Sequence, residues 1–325
     1  MKKMDVTALG ELLVDFTENG ISLQGNPLFE ANPGGAPCNV LSMLQKLGKK
    51  TAFIGKVGRD SFGEMLKTAV TEQEIDIRNL IMDEDVPTTL AFVHTAPDGD
   101  RSFSFYRNPG ADMMLRENEV NTFLLENTRI FHFGSLSMTD TEVEKATKTA
   151  IDVAKKAGVI ISFDPNLRPP LWKSLEDAKE KIAYGLGQCD ILKISDDEIA
   201  FFTGSSDIDE GIAIIQKEYD IPLICATMGK KGSRAYYKGN KVECPPFLNK
   251  NTIETTGAGD TFMACVLNFI LENGLENLSM EQLHEMLEFA NAASSIITTR
   301  KGALKVMPEE EEVWKFLETN KEEMQ

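Results

Sequence analysis

Residues 253–262, IETTGAGDTF, decide how the rest of the chain is read. Gly257 and Gly259 bracket Ala258, Asp260 follows at once, and the apolar run FMACVLNFIL comes next. That run is long enough for a buried helix, which puts the glycines at a helix N-terminus and Asp260 in its first turn. Unpaired N–H groups and the positive end of the helix dipole form an anion site there. Glycine lets the main chain come close to a ligand. The lysine of a Walker-type loop is absent. A carboxylate beside an anion site suits phosphoryl transfer to an alcohol: it takes the hydroxyl proton while the amides offset charge on the moving phosphoryl group. A glycine turn with Asp260 as a mere helix cap explains the same residues about equally well.

Outward from this loop, short β-rich runs alternate with helical stretches, the pattern of a parallel sheet covered by helices. DVTALG, TAFIGKVG, RIFHFGSL, VIISFD, ILKIS and LICATMG read as strands. APCNVLSMLQKLG (closed by Gly48), SFGEMLKTAVTEQ, TEVEKATKTAIDVAKKAG, SLEDAKEKIAYGLGQ and SMEQLHEMLEFANAASSIITT read as helices. SRAYYKGNKVEC reads as a hairpin around Gly239-Asn240, and the acidic tail from residue 308 as a solvated helix. The rhythm breaks twice. TTLAFVHT and RSFSFYR alternate apolar with polar residues around APDGD, a hairpin signal, and residues 12–33 are strand-like and turn-rich. The expected organisation is a core domain of residues 1–11, 34–86 and 112–325, with residues 12–33 and 87–111 forming a small antiparallel lid.

The 325 residues, 42% hydrophobic and 26% charged, describe a globular protein. A net charge of −17 argues against nucleic acid as a partner, because its phosphates would be repelled. No apolar run reaches the ~18 residues of a membrane span, and the N-terminus has no signal-peptide pattern. Five cysteines without a CxxC pair point to buried thiols in a reducing cytoplasm. His94, His132 and His284 lack metal-ligand spacing, so the chemistry falls to carboxylates.

A second constellation lies in NPGGAPCNVLSMLQKLG. Gly34 and Gly35 precede a helix with Asn39 in its first turns, which would let a polyol approach the main chain; a plain turn before a helix fits as well. Asp15 in GELLVDF sits near a strand end, placed either to bind sugar hydroxyls or to face solvent.

Together GGAPCNVLSMLQKLG, GKVGRDSFGE and IETTGAGDTF resemble the ribokinase-like (PfkB) carbohydrate kinases over about residues 4–310. FYRNPGADMML, FHFGSLSM, SFDPNLRPPLW, LKISDDEIAFFTG and TMGKKGS narrow the resemblance to fructokinases. The resemblance implies a three-layer α/β/α sandwich with a mostly parallel sheet and a β lid, and phosphorylation of a sugar, D-fructose before others, by ATP with Mg2+. It makes Asp260 the catalytic base and the amides of Gly257, Ala258 and Gly259 the anion hole. It places Asp15, Gly34, Gly35, Asn39, Arg107 and Arg168 at the sugar. Lys193, Ser195, Thr227, Gly229, Gly232 and Asn291 fall at the nucleotide, Glu198 at magnesium through water, and Glu254, Thr256 and Gly302 at a possible potassium ion. Serine replaces asparagine at Ser195 in the N-x-x-E motif, and glutamate replaces aspartate at Glu254, which leaves potassium activation open. A strand-built lid exposes an edge, so a homodimer through the lids is expected. Two rival readings stand: a 2-keto-3-deoxygluconate kinase, which shares a D-x-N-x-R-x-x-LW run, and a non-catalytic sugar-sensing relative. No G-x-G-x-x-G follows the first strand, against a dinucleotide-binding dehydrogenase.

Overall fold

The computed structural model describes residues 3–95 and 101–323. Strand β1 (Met4–Leu9) lies inside a nine-stranded sheet. β2 (Leu13–Ile21) and β3 (Pro27–Gly34) leave that sheet and return to helix α1 (Ala36–Lys46). β4 (Thr51–Gly58), α2 (Ser61–Glu72) and β5 (Asp76–Asp83) extend one side of the large sheet; β5 is an edge strand that the alternation pattern does not single out. A second excursion, β6 (Leu90–Thr95) and β7 (Arg101–Tyr106), returns through α3 (Thr122–Glu126) to β8 (Thr128–Gly134). The other side then follows as α4 (Thr141–Lys156), β9 (Ile160–Asp164), α5 (Leu175–Leu186), β10 (Ile191–Ser195), α6 (Asp196–Thr203), α7 (Ile208–Glu218) and β11 (Leu223–Thr227). The hairpin β12 (Ser233–Tyr237) and β13 (Asn240–Cys244) closes it antiparallel, turning at Lys238 and Gly239 with φ of 49° and 78°. Helices α8 (Ala258–Asn273), α9 (Met280–Ile297) and α10 (Glu310–Glu323) end the described chain.

The order across the large sheet is β13-β12-β11-β10-β9-β8-β1-β4-β5, parallel from β11 onward. From β1 the chain steps to β4 and β5 on one side and later to β8 and beyond on the other. The direction of winding therefore reverses between β1 and β8, and a crevice opens at the carboxyl ends of those strands. Side chains alternate between faces with period two: Leu223 and Cys225 of β11 join one core, Ile224 and Ala226 the other. The first core is closed by α1, α2, α8, α9 and α10, the second by α3 to α7, giving three layers. Helix α8 is apolar almost all round because it is buried between α1 and α9.

Two expectations change. The small sheet, β3-β2-β6-β7, is antiparallel at β2–β3 and β6–β7, but its central pair β2–β6 is parallel. Both central strands run outward from the core, so neighbours that begin at the same edge must point the same way. Phe16 of β2 stacks on Phe92 of β6 at 4.8 Å and meets Phe62 of α2 edge-on at 5.6 Å, which seats the sheet on the core. The tail helix α10 is not merely solvated either: Val313 and Leu317 are buried in the first core. The APDGD turn, residues 96–100, lies outside the described residues.

Candidate active site

Gly257 caps α8 with φ 76°, a left-handed conformation that glycine adopts readily. Its missing side chain also matters, since a Cβ there would lie 2.8 Å from the Cβ of Ala303. One residue into the helix the chain reaches Gly259, whose Cβ position is 3.1 Å from Lys193 Nζ. The ammonium group therefore stands directly across the helix end. Asp260 falls in the first turn as expected, 9% exposed. Burial pushes its carboxyl group upward; a hydrogen bond from Asn39 and the fields of Lys193 and Arg168 oppose that. The Asn39 bond, Nδ2 to Asp260 Oδ2 at 2.8 Å, joins residues 221 apart in sequence. Of the three amides expected to form the anion hole, that of Ala258 instead donates to Thr255 O at 3.2 Å, closing the turn.

Asn39 is aimed by its helix. Helix α1 starts at Ala36, whose N–H donates to the buried Glu11 carboxylate at 3.0 Å. Gly35, with φ 127°, passes so close to Glu11 O that a Cβ would sit 2.4 Å away. Gly34 in turn leaves room for Asp15: its Cβ position is 2.3 Å from Asp15 Oδ2. The half-buried Asp15 carboxyl is raised to about 7 by burial, against the field of Arg168 and with those of Glu254 and Asp260. The exposed Arg168 follows β9 and its charge reaches both Asp15 and Asp260.

At the end of β9, Asp164 pairs with Lys193 of β10 at 3.0 Å, both side chains buried. Burial pulls the Lys193 value down, but Asp164, Glu198 and Asp260 outweigh it and hold the proton more tightly than in water. Glu198 is the capping-box acid of α6: Oε2 accepts from the Ser195 N–H and hydroxyl, and Oε1 accepts from Leu167 N at 2.8 Å. Burial would raise it, but Lys193 and these donors more than offset that and keep it ionised. Ser195 is thus the N-cap of α6.

The Thr227 end of β11 and the turn through Gly229 (φ 51°) and Gly232 (φ 91°) lie two strands along the same sheet edge. A side chain at Gly232 would strike Cys244 O at 2.2 Å. Two more of the expected ligand residues are held by bonds within the protein. Asn291 accepts from Ser233 Oγ at 2.9 Å and donates to Pro245 O at 3.0 Å, tying α9 to the β12–β13 hairpin. Arg107 donates to Asp112, Thr139 Oγ1 and Leu136 O, pinning the root of the small sheet to the turn after β8.

With this geometry in place, comparison with known proteins finds that residues 3–310 match the model of the pfkB family carbohydrate kinases. The chain belongs to this family. It is 40% identical over 314 residues to probable fructokinase-2 of Arabidopsis thaliana, covering 96% of this chain and 95% of that one. Among solved structures it is similar to the fructokinase with bound ATP from Xylella fastidiosa, with 28% identity, a TM-score of 0.89, and coverage of 99% and 100%. It is likewise similar to a double mutant of the Vibrio cholerae O395 fructokinase with fructose, ADP and potassium ion bound, with 28% identity, a TM-score of 0.87, and coverage of 98% and 99%. The ribokinase-like, three-layer reading of the sequence holds, and so does its placement among phosphotransferases acting on a sugar hydroxyl.

Within the family frame, three residues receive no site role from the motifs, although Asp164 and Asn166 lie in the D-x-N-x-R-x-x-LW run. Asp164, Glu11 and Asn166 line a water-sized cavity of ≈10 Å³ at the winding reversal, with His132, Gly134 and Leu136. His132, buried and paired with Ser162 Oγ at 2.9 Å, is driven to about 3 by burial and stays neutral. A carboxylate ending a strand in SFD was the available signal for Asp164; nothing in GELL marks Glu11 as a helix cap. A much wider hollow of ≈740 Å³ lies at the opposite ends of the strands, among Gly158, Asp190, Lys238 and Asn277. Size does not make it the active site: it lies away from the carboxyl ends of the strands, where Asp260, Asn39 and Lys193 come together.

Two of the residues expected at a potassium ion, Glu254 and Gly302, are bonded to each other. Glu254 Oε1 accepts the Gly302 N–H at 2.9 Å. All five cysteines are buried and free, and no helix among the described residues is long and apolar enough to cross a membrane.

Proposed function

We propose that this protein is an ATP-dependent fructokinase that transfers the γ-phosphoryl group to the 6-hydroxyl of D-fructose. The observation that carries the proposal is the buried Asp260 in the first turn of α8, bonded to Asn39 and facing Lys193 across Gly259. Asp15 and Asn39 hold the sugar so that its hydroxyl meets Asp260. Asp260 takes the proton as the oxygen attacks phosphorus, and burial favours its accepting one. The Gly257 and Gly259 amides and the Lys193 ammonium group meet the charge that builds on the phosphoryl oxygens. Arg168, exposed beside both carboxylates, has its charge free for the phosphate end of the substrates. Thr227, Gly229 and Gly232 form the nucleotide edge; Asn291 shapes it from behind through the hairpin.

Glu198 fits the divalent cation. It is ionised, and three donors on its two oxygens leave lone pairs for a metal-bound water. Mg2+ when bound supplies positive charge at the phosphates. The small sheet, residues 12–33 and 87–111, acts as the lid over a core of residues 1–11, 34–86 and 112–325, excluding the water that competes as acceptor. Its exposed Ile21, Leu28 and Tyr106 and its outer strands suit pairing with a second lid in a homodimer. The buried free thiols suit the cytoplasm.

The test is a coupled phosphorylation assay with fructose, ribose, adenosine and 2-keto-3-deoxygluconate side by side, repeated with Asp260→Asn. Fructose should give the highest kcat/KM, and the variant should lose at least about 10²- to 10⁴-fold in kcat with ATP binding retained. Product from the keto acid alone would replace the substrate. Full turnover by the variant would remove Asp260 as the base. A single-chain mass in light scattering at micromolar concentration would exclude the dimer.

A further inference from the structure

Three bonds strap the segment before the anion-hole loop to the turn after α9. Ile253 N and Glu254 N donate to Thr298 O at 2.8 and 3.1 Å, and Glu254 Oε1 accepts from Gly302 N at 2.9 Å. The same turn touches both sides of the site. Ala303 lies against Gly257, leaving no room for a Cβ there. Gly302, at φ 78°, faces Asn32 of β3, whose Oδ1 is 3.3 Å from its Cβ position, and Lys301 reaches Asn19 of β2 at 3.4 Å. Glu254 is also close enough to Asp15 for its charge to be felt there. The turn at residues 298–303 is therefore a bridge between the small sheet and the N-terminus of α8, and Glu254 is the side chain that fastens it.

We propose that the Glu254–Gly302 bond is an internal strut that fixes the anion-hole loop against this bridge, in place of a monovalent cation, so that catalysis by this chain does not depend on potassium. Aspartate at this position would be one methylene short of Gly302. Glutamate spans the gap, and its charge-assisted bond to the amide holds the two segments without an ion between them. Glu254 is thus a positioning residue for Gly257, Gly259 and Asp260. The inference rests on the reading of that loop as the phosphoryl-transfer site.

The experiment compares wild type, Glu254→Asp and Glu254→Gln in potassium, sodium and tetramethylammonium chloride at equal ionic strength. Fructose kinetics are measured together with amide hydrogen exchange over residues 298–304. Wild type should show the same turnover and the same slow exchange in all three salts. Glu254→Asp should lose about 10- to 150-fold in kcat, the range for one hydrogen bond to a charged group, with a smaller change in KM and faster exchange. Glu254→Gln, which keeps the length and an acceptor, should fall between the two, and serves alone if the aspartate variant does not fold. Potassium stimulation of wild-type turnover, or potassium-dependent exchange, would overturn the proposal, as would wild-type kinetics and exchange in both variants. If wild type phosphorylates no sugar while exchange behaves as stated, the strut stands and the catalytic reading falls.

Discussion

Adding one methyl group at Gly34 should act on sugar binding through a residue it does not replace. Gly34 closes β3 opposite Leu13, and its φ is not in the left-handed region, so alanine brings no backbone strain. The new Cβ would lie 2.3 Å from Asp15 Oδ2 and 3.2 Å from its Cγ. Ordinary contact requires a further ~1 Å, which the carboxylate yields by turning away. A sugar hydroxyl held by Asp15 would then be left beyond hydrogen-bond reach. A bond to an ionised acceptor contributes about 1.5–3 kcal/mol, which corresponds to about a 10- to 150-fold rise in KM for fructose. At pH 8, above the Asp15 value of about 7, the group is ionised and the effect is largest. The assay is steady-state kinetics on Gly34→Ala, Asp15→Ala and the double variant. Because the methyl acts only by displacing Asp15, it should add little once Asp15 is gone. A KM within twofold of wild type in Gly34→Ala, or an equal penalty in both backgrounds, would refute the placement of Asp15 at the sugar.

Three other outcomes follow from the buried polar groups. Glu11 has its folded value raised from 4.5 to about 7 by burial, so the native state holds its proton more tightly than the unfolded chain. The stability this gives is complete below about pH 4.5 and lost as pH rises through 7, on the order of 3 kcal/mol. Urea titrations should therefore show Glu11→Gln, which keeps an acceptor for Ala36, gaining on wild type from pH 5 to pH 8; a constant difference would argue against it. Lys193→Met should cost about 3–5 kcal/mol at pH 8 by stranding Asp164 in the interior. The loss should shrink at pH 6, where Asp164 takes a proton more easily, and shrink again in combination with Asp164→Asn. Asn291→Ala should lower stability by about 1–3 kcal/mol, because Ser233 and the Pro245 carbonyl lose a partner, while KM for ATP changes less than threefold.

The features legible in the sequence are those fixed by local spacing. The glycines, Asp260 and the apolar run after them fall within a few residues of one another, so their places at a helix N-terminus follow from helix geometry alone. The alternation of strand and helix likewise gives the parallel sheet. What stays hidden depends on contacts between distant segments. Asn39 is visible as a polar residue in a first turn, but its partner is 221 residues away. Lys193 and Asp164 become a pair only because adjacent parallel strands bring their carboxyl ends together. Strand direction within the small sheet is hidden for the same reason: the alternation of β2 and β6 records which faces are apolar and says nothing of which way a neighbour runs. Arg107 and Asn291 lie in family-like stretches, and only three-dimensional packing reveals that protein groups engage them.

The parallel central pair of the small sheet also constrains how that sheet can travel. The chain crosses between core and small sheet at four places, next to Leu13, Gly34, Leu90 and Tyr106. A slab tethered at four points along one edge cannot slide or spin; it can only swing about the line through those tethers. Displacement should then grow linearly with distance from that line. A pair of spectroscopic labels joining Gly25, in the turn at the far end, to the core would register the full arc, whereas a pair anchored at Val14 would register almost none.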